Sequence, residues 1–216
     1  MPDGIDALLR SLAGDLQPIR AMLEKHLERG SDAKLSSDAL EMARSPKTGW
    51  PVFTIFPGIP EPLLQTYERI HEVELHPQYR QILGSMNGAF LFQLSLFGVP
   101  PSMAKEPPLL DRSRAWPLDV GTAQSDWKDR YTQDREQFYF GGGARSWSEN
   151  VGYFLGPDGE VTSRRAGGMV IGRWPGFREF LTAELVRMET LQPEYEDRMQ
   201  KVLSESNSRS GTQQKR

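Results

Sequence analysis

The stretch from Leu75 to Phe97 constrains this chain more than any other. Its first half reads as a short helix. Pro77 suits a first helical position, where the missing N–H is no loss. Tyr79, Ile82, Leu83 and Met86 then fall at i, i+3, i+4 and i+7, which is one apolar face. Asn87-Gly88 reads as the helix stop, because both residues tolerate the left-handed conformation. Beyond it the period changes: Phe90, Leu91, Phe92, Leu94, Leu96 and Phe97 form a nearly continuous apolar run, as in a strand buried on both faces. A chain with this corner needs a sheet to receive the run and further apolar faces to cover it.

The rest supplies them. Ile5, Leu8, Leu9 and Leu12, then Leu16, Ile19, Leu23 and Leu27, mark two helices within residues 3–29. They cannot be one helix, because Pro18 would remove a bond and clash inside it. Asp15 reads as the cap of the second, and Gly30 follows its end. Residues 36–44 read as a short helix capped by Ser36 or Ser37, and residues 45–49 as a linker. Val52, Phe53, Thr54, Ile55 and Phe56 favour a strand. Leu63, Leu64, Tyr67 and Ile70 mark a helix ending near His71. Residues 98–117, with five prolines, read as a long irregular loop; loops of that length in a compact domain are usually functional. Asp119 caps an expected helix over 118–131 that carries Val120, Trp127 and Tyr131.

Strands follow at 137–141, 151–155 and 160–164, with a fourth near 167–172; Gly156-Pro157-Asp158-Gly159 is a turn signal between the second and third. Phe177, Phe180, Leu181, Leu185 and Met188 share one face of a last helix, which residues 192–203 extend or follow. From Ser204 no apolar residue remains, and a disordered tail is expected. These elements give an α+β fold: a mainly antiparallel, twisted sheet of about four to six strands, flanked by helices. An N-terminal helical extension covers 1–49, the main domain 50–190, and a C-terminal extension 191–216.

Composition narrows the function. The absence of cysteine excludes disulfides, thiol catalysis and thiolate metal sites. A net charge of −3 argues against direct nucleic-acid binding, and no run of about 18 apolar residues offers a membrane span. The beginning of the chain is acidic, with no apolar leader, so the expected location is cytoplasmic. The three histidines, His26, His71 and His76, do not form a metal-ligand pattern. Gly141-Gly142-Gly143 lacks the Gly-Lys-Ser/Thr ending of a phosphate loop and reads as a turn. No carboxylate pair stands out for acid–base work. The sequence therefore names no catalytic residue, metal or cofactor.

The tryptophans carry more. Trp116 closes the long loop, and Trp147 sits in a polar turn between Ser146 and Ser148, with Arg145 and Glu149 beside it. Exposed aromatics with a polar rim are the residue type of interface hot spots. Trp116, Arg145, Ser146, Trp147, Ser148 and Glu149 are thus the candidate partner-binding residues, on two loops, 98–117 and 142–150.

Leu75-x-Pro77-x-Tyr79-Arg80-x-x-Leu83, then Asn87-Gly88, then Leu96-Phe97-Gly98, resembles the signature of the SMI1/KNR4 family, also called the SUKH superfamily. The block from Phe138 through Gly141, Gly152, Tyr153 and Asp158-Gly159-Glu160-Val161, and the closing Phe177-Arg178-Glu179-Phe180-Leu181, resemble its second half. The likeness makes Pro77, Tyr79, Leu83, Asn87, Gly88, Gly98, Gly141, Tyr153, Gly159, Phe177 and Phe180 the structural motif. It implies a non-catalytic module whose partner is a protein. In bacterial members that partner is a toxin, often a nuclease, which the module neutralises. The fungal namesakes are linked to regulation of cell-wall synthesis. A small enzyme with its site between the long loop and the Gly141–Asn150 turn stays open, as does the oligomeric state.

Overall fold

The computed structural model describes residues 3–36, 39–100 and 116–213. Nine strands lie side by side in chain order, every neighbouring pair antiparallel. They are β1 (Ala33–Leu35), β2 (Leu40–Arg44), β3 (Pro51–Pro57), β4 (Met86–Leu91), β5 (Leu94–Leu96), β6 (Phe138–Ser146), β7 (Glu149–Leu155), β8 (Val161–Arg165) and β9 (Val170–Trp174). The fold is α+β, as the alternation of apolar periods predicts, but the sheet is larger than four to six strands.

Of the extra strands, β2 comes from residues read as a short helix and β1 from the unassigned residues just before them. Leu40, Met42 and Arg44 are helix formers by propensity, yet Leu40 and Met42 point the same way at a period of two and pair with Ile55 and Phe53. Burial of that face decides the structure. Residues 45–49 turn tightly back into β3, the Ser45 N–H donating to Trp50 O at 2.9 Å.

Helices cover one face: α1 (Asp3–Ser11), α2 (Gln17–Glu28), α4 (Pro77–Ser85) and the first part of α6 (Phe177–Gln213). Their stripes are the ones expected, with Ile5, Leu9, Leu12, Leu16, Ile19 and Leu23 all buried. Asp15 does not cap α2; it sits in a short 3-10 turn, Gly14–Leu16, and accepts from Gln78 Nε2 at 2.8 Å. α3 (Glu61–His71) crosses between β3 and β4 in sequence and buries Leu64 and Tyr67.

Alternation along β6 and β7 separates two apolar layers. Phe140 and Tyr153 face the helices, where Phe177 and Phe180 pack 5.1 and 5.4 Å from Phe140. Tyr139 and Phe154 face the opposite side, stacked 4.7 Å apart. Over them lies the chain from Asp119 onward: α5 (Val120–Thr122), a π turn at Ala123–Trp127 and a 3-10 turn at Lys128–Arg130. Asp119 caps it as expected, accepting from Gly121 N at 3.0 Å.

The Leu75–Phe97 corner is correct in outline and different in its joints. Tyr79, Ile82 and Leu83 are buried on one face of α4, and Met86 is buried just past its end. The helix ends at Ser85, however, before Asn87-Gly88. Met86 is already extended and pairs with Pro57, while Leu83 O, left over at the helix end, accepts from Ile59 N at 3.0 Å. Asn87 and Gly88 lie inside β4. The Asn87 amide pairs with Val99 as a strand would, at 2.8 and 2.9 Å. Gly88 does have positive φ, +79°, and Gly98 bridges to Asp119. The apolar run is two strands, because Phe92-Gln93 turns the chain between Leu91 and Leu94.

Gly141-Gly142-Gly143 is not a turn but the middle of β6, paired on both sides. Residues 142–150 likewise form strand and a two-residue turn rather than a loop. α6 continues unbroken past Pro193 and Ser204 to Gln213, where a tail without structure was expected. Once nucleated, a helix gains one bond for each residue it fixes, and Ser, Glu, Asn and Arg do not forbid it. Residues 101–115, the bulk of the long-loop expectation, lie outside the described residues, as does Ser37.

Leu83 is fully buried beneath the sheet. Leu83→Ala is expected to cost about 2–5 kcal/mol, the range for cavities left by buried leucine. Urea unfolding reads this; a loss below about 1 kcal/mol would place Leu83 outside the core.

Candidate binding cleft

The β6–β7 hairpin projects Trp147. Ser146 pairs with Glu149, so Trp147-Ser148 is a two-residue turn at the tip. The Trp147 ring is 36% exposed and lies 5.1 Å from Tyr195 on α6. Tyr195 can meet it only because α6 runs through Pro193. Proline leaves the Glu189 carbonyl without its helical donor, and α6 is held by one side-chain contact on each side of it. Gln93 Nε2 donates to Gln192 Oε1 at 2.6 Å, and Lys47 pairs with Asp197.

Opposite Trp147 stands the Asp119–Arg130 segment. Gln124 docks it on β6, donating to Tyr139 O at 2.5 Å and accepting from Tyr139 N at 3.2 Å. Trp127 packs edge-on against Phe97 at 5.8 Å, and Tyr131 lies 5.4 Å from Tyr139. Tyr67 donates to the buried Asp119 carboxylate, as does Thr122 Oγ1 at 2.7 Å, so the segment's start is fixed. Burial and the Asp119 carboxylate push the Tyr67 pKa up, keeping it a donor.

Between the two walls lies a cleft of about 580 Å³. Phe97, Trp127, Tyr131, Tyr139, Trp147 and Tyr195 line it, and Gly142 and Gly143 contribute to it from β6. Its polar side chains include Gln93, Ser95 and Asn150, and the oppositely charged Asp126 and Arg130. Small glycines beneath large rings give a concave site on a rigid sheet.

A buried polar cluster holds the hairpin from behind. Glu184 is 5% exposed and accepts from the Tyr153 hydroxyl at 2.5 Å and from Arg187 Nε at 3.0 Å. Arg187 also donates to Ala144 O at 3.0 Å and Arg145 O at 3.2 Å, the carbonyls just before the tip. Burial first, and then the Glu184 charge, raise the Tyr153 pKa well above its ordinary value. Three side chains thus tie α6 to the base of the turn that carries Trp147.

Of the residues expected from sequence, Trp147 lines the cleft, and Arg145 and Glu149 form an ion pair of 3.8 Å beside it, Glu149 also holding Arg165. Ser146 and Ser148 shape the turn without lining the cleft. Trp116 is half-buried and is not among the residues that line the cleft. Tyr139, Phe97 and Arg130 gather only through the fold, and Tyr195 had no sequence signal. The histidines hold separate places: His26 packs on Phe53 at 4.8 Å, His71 stacks on Tyr67 at 4.2 Å, and His76 caps α4. Among the described residues no group of three His, Cys, Asp or Glu side chains is placed for a metal ion, and no helix is long and apolar enough to cross a membrane.

Comparisons with family models, curated proteins and solved structures found no match.

Proposed function

We propose that this chain is a non-catalytic protein-binding module of the immunity type, which captures and neutralises a bacterial toxin, with nucleases among the candidate toxins. The motif resemblance supplies the class. The observation that carries the placement is the exposed Trp147 ring, held on a rigid hairpin at the mouth of an aromatic cleft. Large rings that keep their shape bury much area at little entropic cost, which is why Trp and Tyr dominate interface energetics. The alternative, a regulatory adaptor, would dock its protein through the N-terminal helices instead.

Calorimetric titration against the product of the neighbouring gene tests the reading. Trp147→Ala is expected to weaken binding by about 2 kcal/mol, roughly thirtyfold, with circular dichroism unchanged. Unchanged affinity in a folded variant removes the cleft as the site. The cleft's volume, about 580 Å³, is also within the range of small-molecule sites. An enzyme working there would turn over a small substrate and bind no neighbouring toxin, and that pair of results would overturn the immunity reading.

A further inference from the structure

Two guanidinium groups lie over adjacent rings on the cleft side of the sheet. Arg130 is 5.8 Å from the Tyr131 ring centroid and Arg164 is 5.6 Å from that of Phe154, and those two rings are 6.1 Å apart. Arg130 itself lines the cleft, as does Asp126, and Arg164 lies just outside that lining. Neither arginine forms an ion pair among the described residues, whereas Arg145, Arg165 and Arg173 on neighbouring strands do. Arg164 gives one bond, to Thr132 Oγ1 at 3.1 Å, and its Nε is buried with no partner. The Asp126 carboxylate already accepts from Ser125 Oγ at 2.6 Å, and that of Glu149 is shared by Arg165 and Arg145.

A buried N–H without an acceptor is costly, and a guanidinium resting on a ring keeps its outer edge open for a planar, bidentate acceptor. On a chain whose net charge is −3, this is a local cationic spot beside an aromatic cleft. A carboxylate answers the open guanidinium edges, and a neighbouring ring answers the cleft. Two arginines are too few for the clustered contacts on which a nucleic-acid backbone depends, so the occupant is a peptide segment.

We propose that the cleft takes an acidic segment of a protein partner. An aromatic side chain of that segment enters between Trp127 and Trp147, and a neighbouring carboxylate pairs with Arg130 and Arg164. The proposal rests on the binding-module reading and specifies the partner's chemistry at the same cleft.

Nitrogen-15-labelled full-length chain titrated with unlabelled acetyl-Glu-Glu-Trp-Glu-Glu-amide tests it. The indole signals of Trp127 and Trp147 are expected to shift while that of Trp174 stays, and the apparent affinity to fall as salt rises. Acetyl-Lys-Lys-Trp-Lys-Lys-amide and a six-nucleotide oligothymidine are expected to bind at least tenfold more weakly. Arg130→Gln, at an exposed position, is expected to keep the fold and lose about tenfold in peptide affinity; Arg130→Gln with Arg164→Gln loses more. No shift at either indole at millimolar peptide, equal or tighter binding of the basic peptide or the oligonucleotide, or unchanged affinity in folded Arg130→Gln would each overturn the proposal. Acidic-peptide binding without capture of any neighbouring-gene product supports the cleft chemistry and counts only against the immunity role.

Discussion

Arg187→Ala is expected to destabilise the fold by about 3 kcal/mol, the lower end of the cost of breaking a buried ion pair. The Glu184 side chain is 6% exposed, and Arg187 is its ion-pair partner. Removing that partner leaves a buried carboxylate with the Tyr153 hydroxyl and frees two strand carbonyls at the hairpin base. Arg187→Lys should recover only part of the loss, since one ammonium cannot reproduce the planar fork that spans carboxylate and backbone. Replacing both charges, Glu184→Leu with Arg187→Met, should cost less than Arg187→Ala alone, because no charge is then stranded. Urea unfolding of the three variants checks the order. If the double variant is the least stable, packing rather than charge governs this cluster.

Gly88→Val is the second large effect. At φ +79° an L side chain pays about 1–2 kcal/mol. A Cβ there would also lie 2.8 Å from Leu96 O, 3.0 Å from Pro117 Cβ and 3.1 Å from Gly98 N. Backbone on two sides cannot yield cheaply, so overpacking adds about 1–3 kcal/mol. A midpoint in urea equal to that of the wild type would show that this part of β4 is not as tight as the structure has it.

Much of the fold was legible where local pattern and tertiary burial agree. The α4 stripe, the two N-terminal helices, the Asp119 cap and the β6–β9 succession follow from period and turn chemistry. The Gly156–Gly159 turn closes as expected, with Gly159 at φ +85°. Legibility failed where a rule had a competitor. The β1–β2 hairpin is written largely in helix formers, and only pairing with β3 reveals it. The β4–β5 turn uses Phe92 at φ +56°, a residue no turn rule selects. The glycines of β6 look like a turn, but Gly141 is in the strand because a Cβ there would stand 2.7 Å from Ser95 O on β5.

The candidate site was half legible for the same reason. Trp147 is recognisable as an aromatic in a polar turn. Its partner Tyr195 is 48 positions away, as the numbering of the contact shows, beyond a proline that sequence reasoning treats as a helix boundary. Arg130 and Arg164 acquire meaning only when Tyr131 and Phe154 stack beneath them.

On the proposed reading, the Trp147 cleft is the capture surface. Hydrogen exchange on the complex with the neighbouring-gene product measures this most directly. New protection is expected at residues 142–150 and 191–199, with 126–131 following, while the opposite helical groove between α2 and α6, lined by Pro18, Met22 and Leu185, exchanges as in the free chain. Protection confined to that groove or to the outer edge of β9, with the hairpin unchanged, would contradict it.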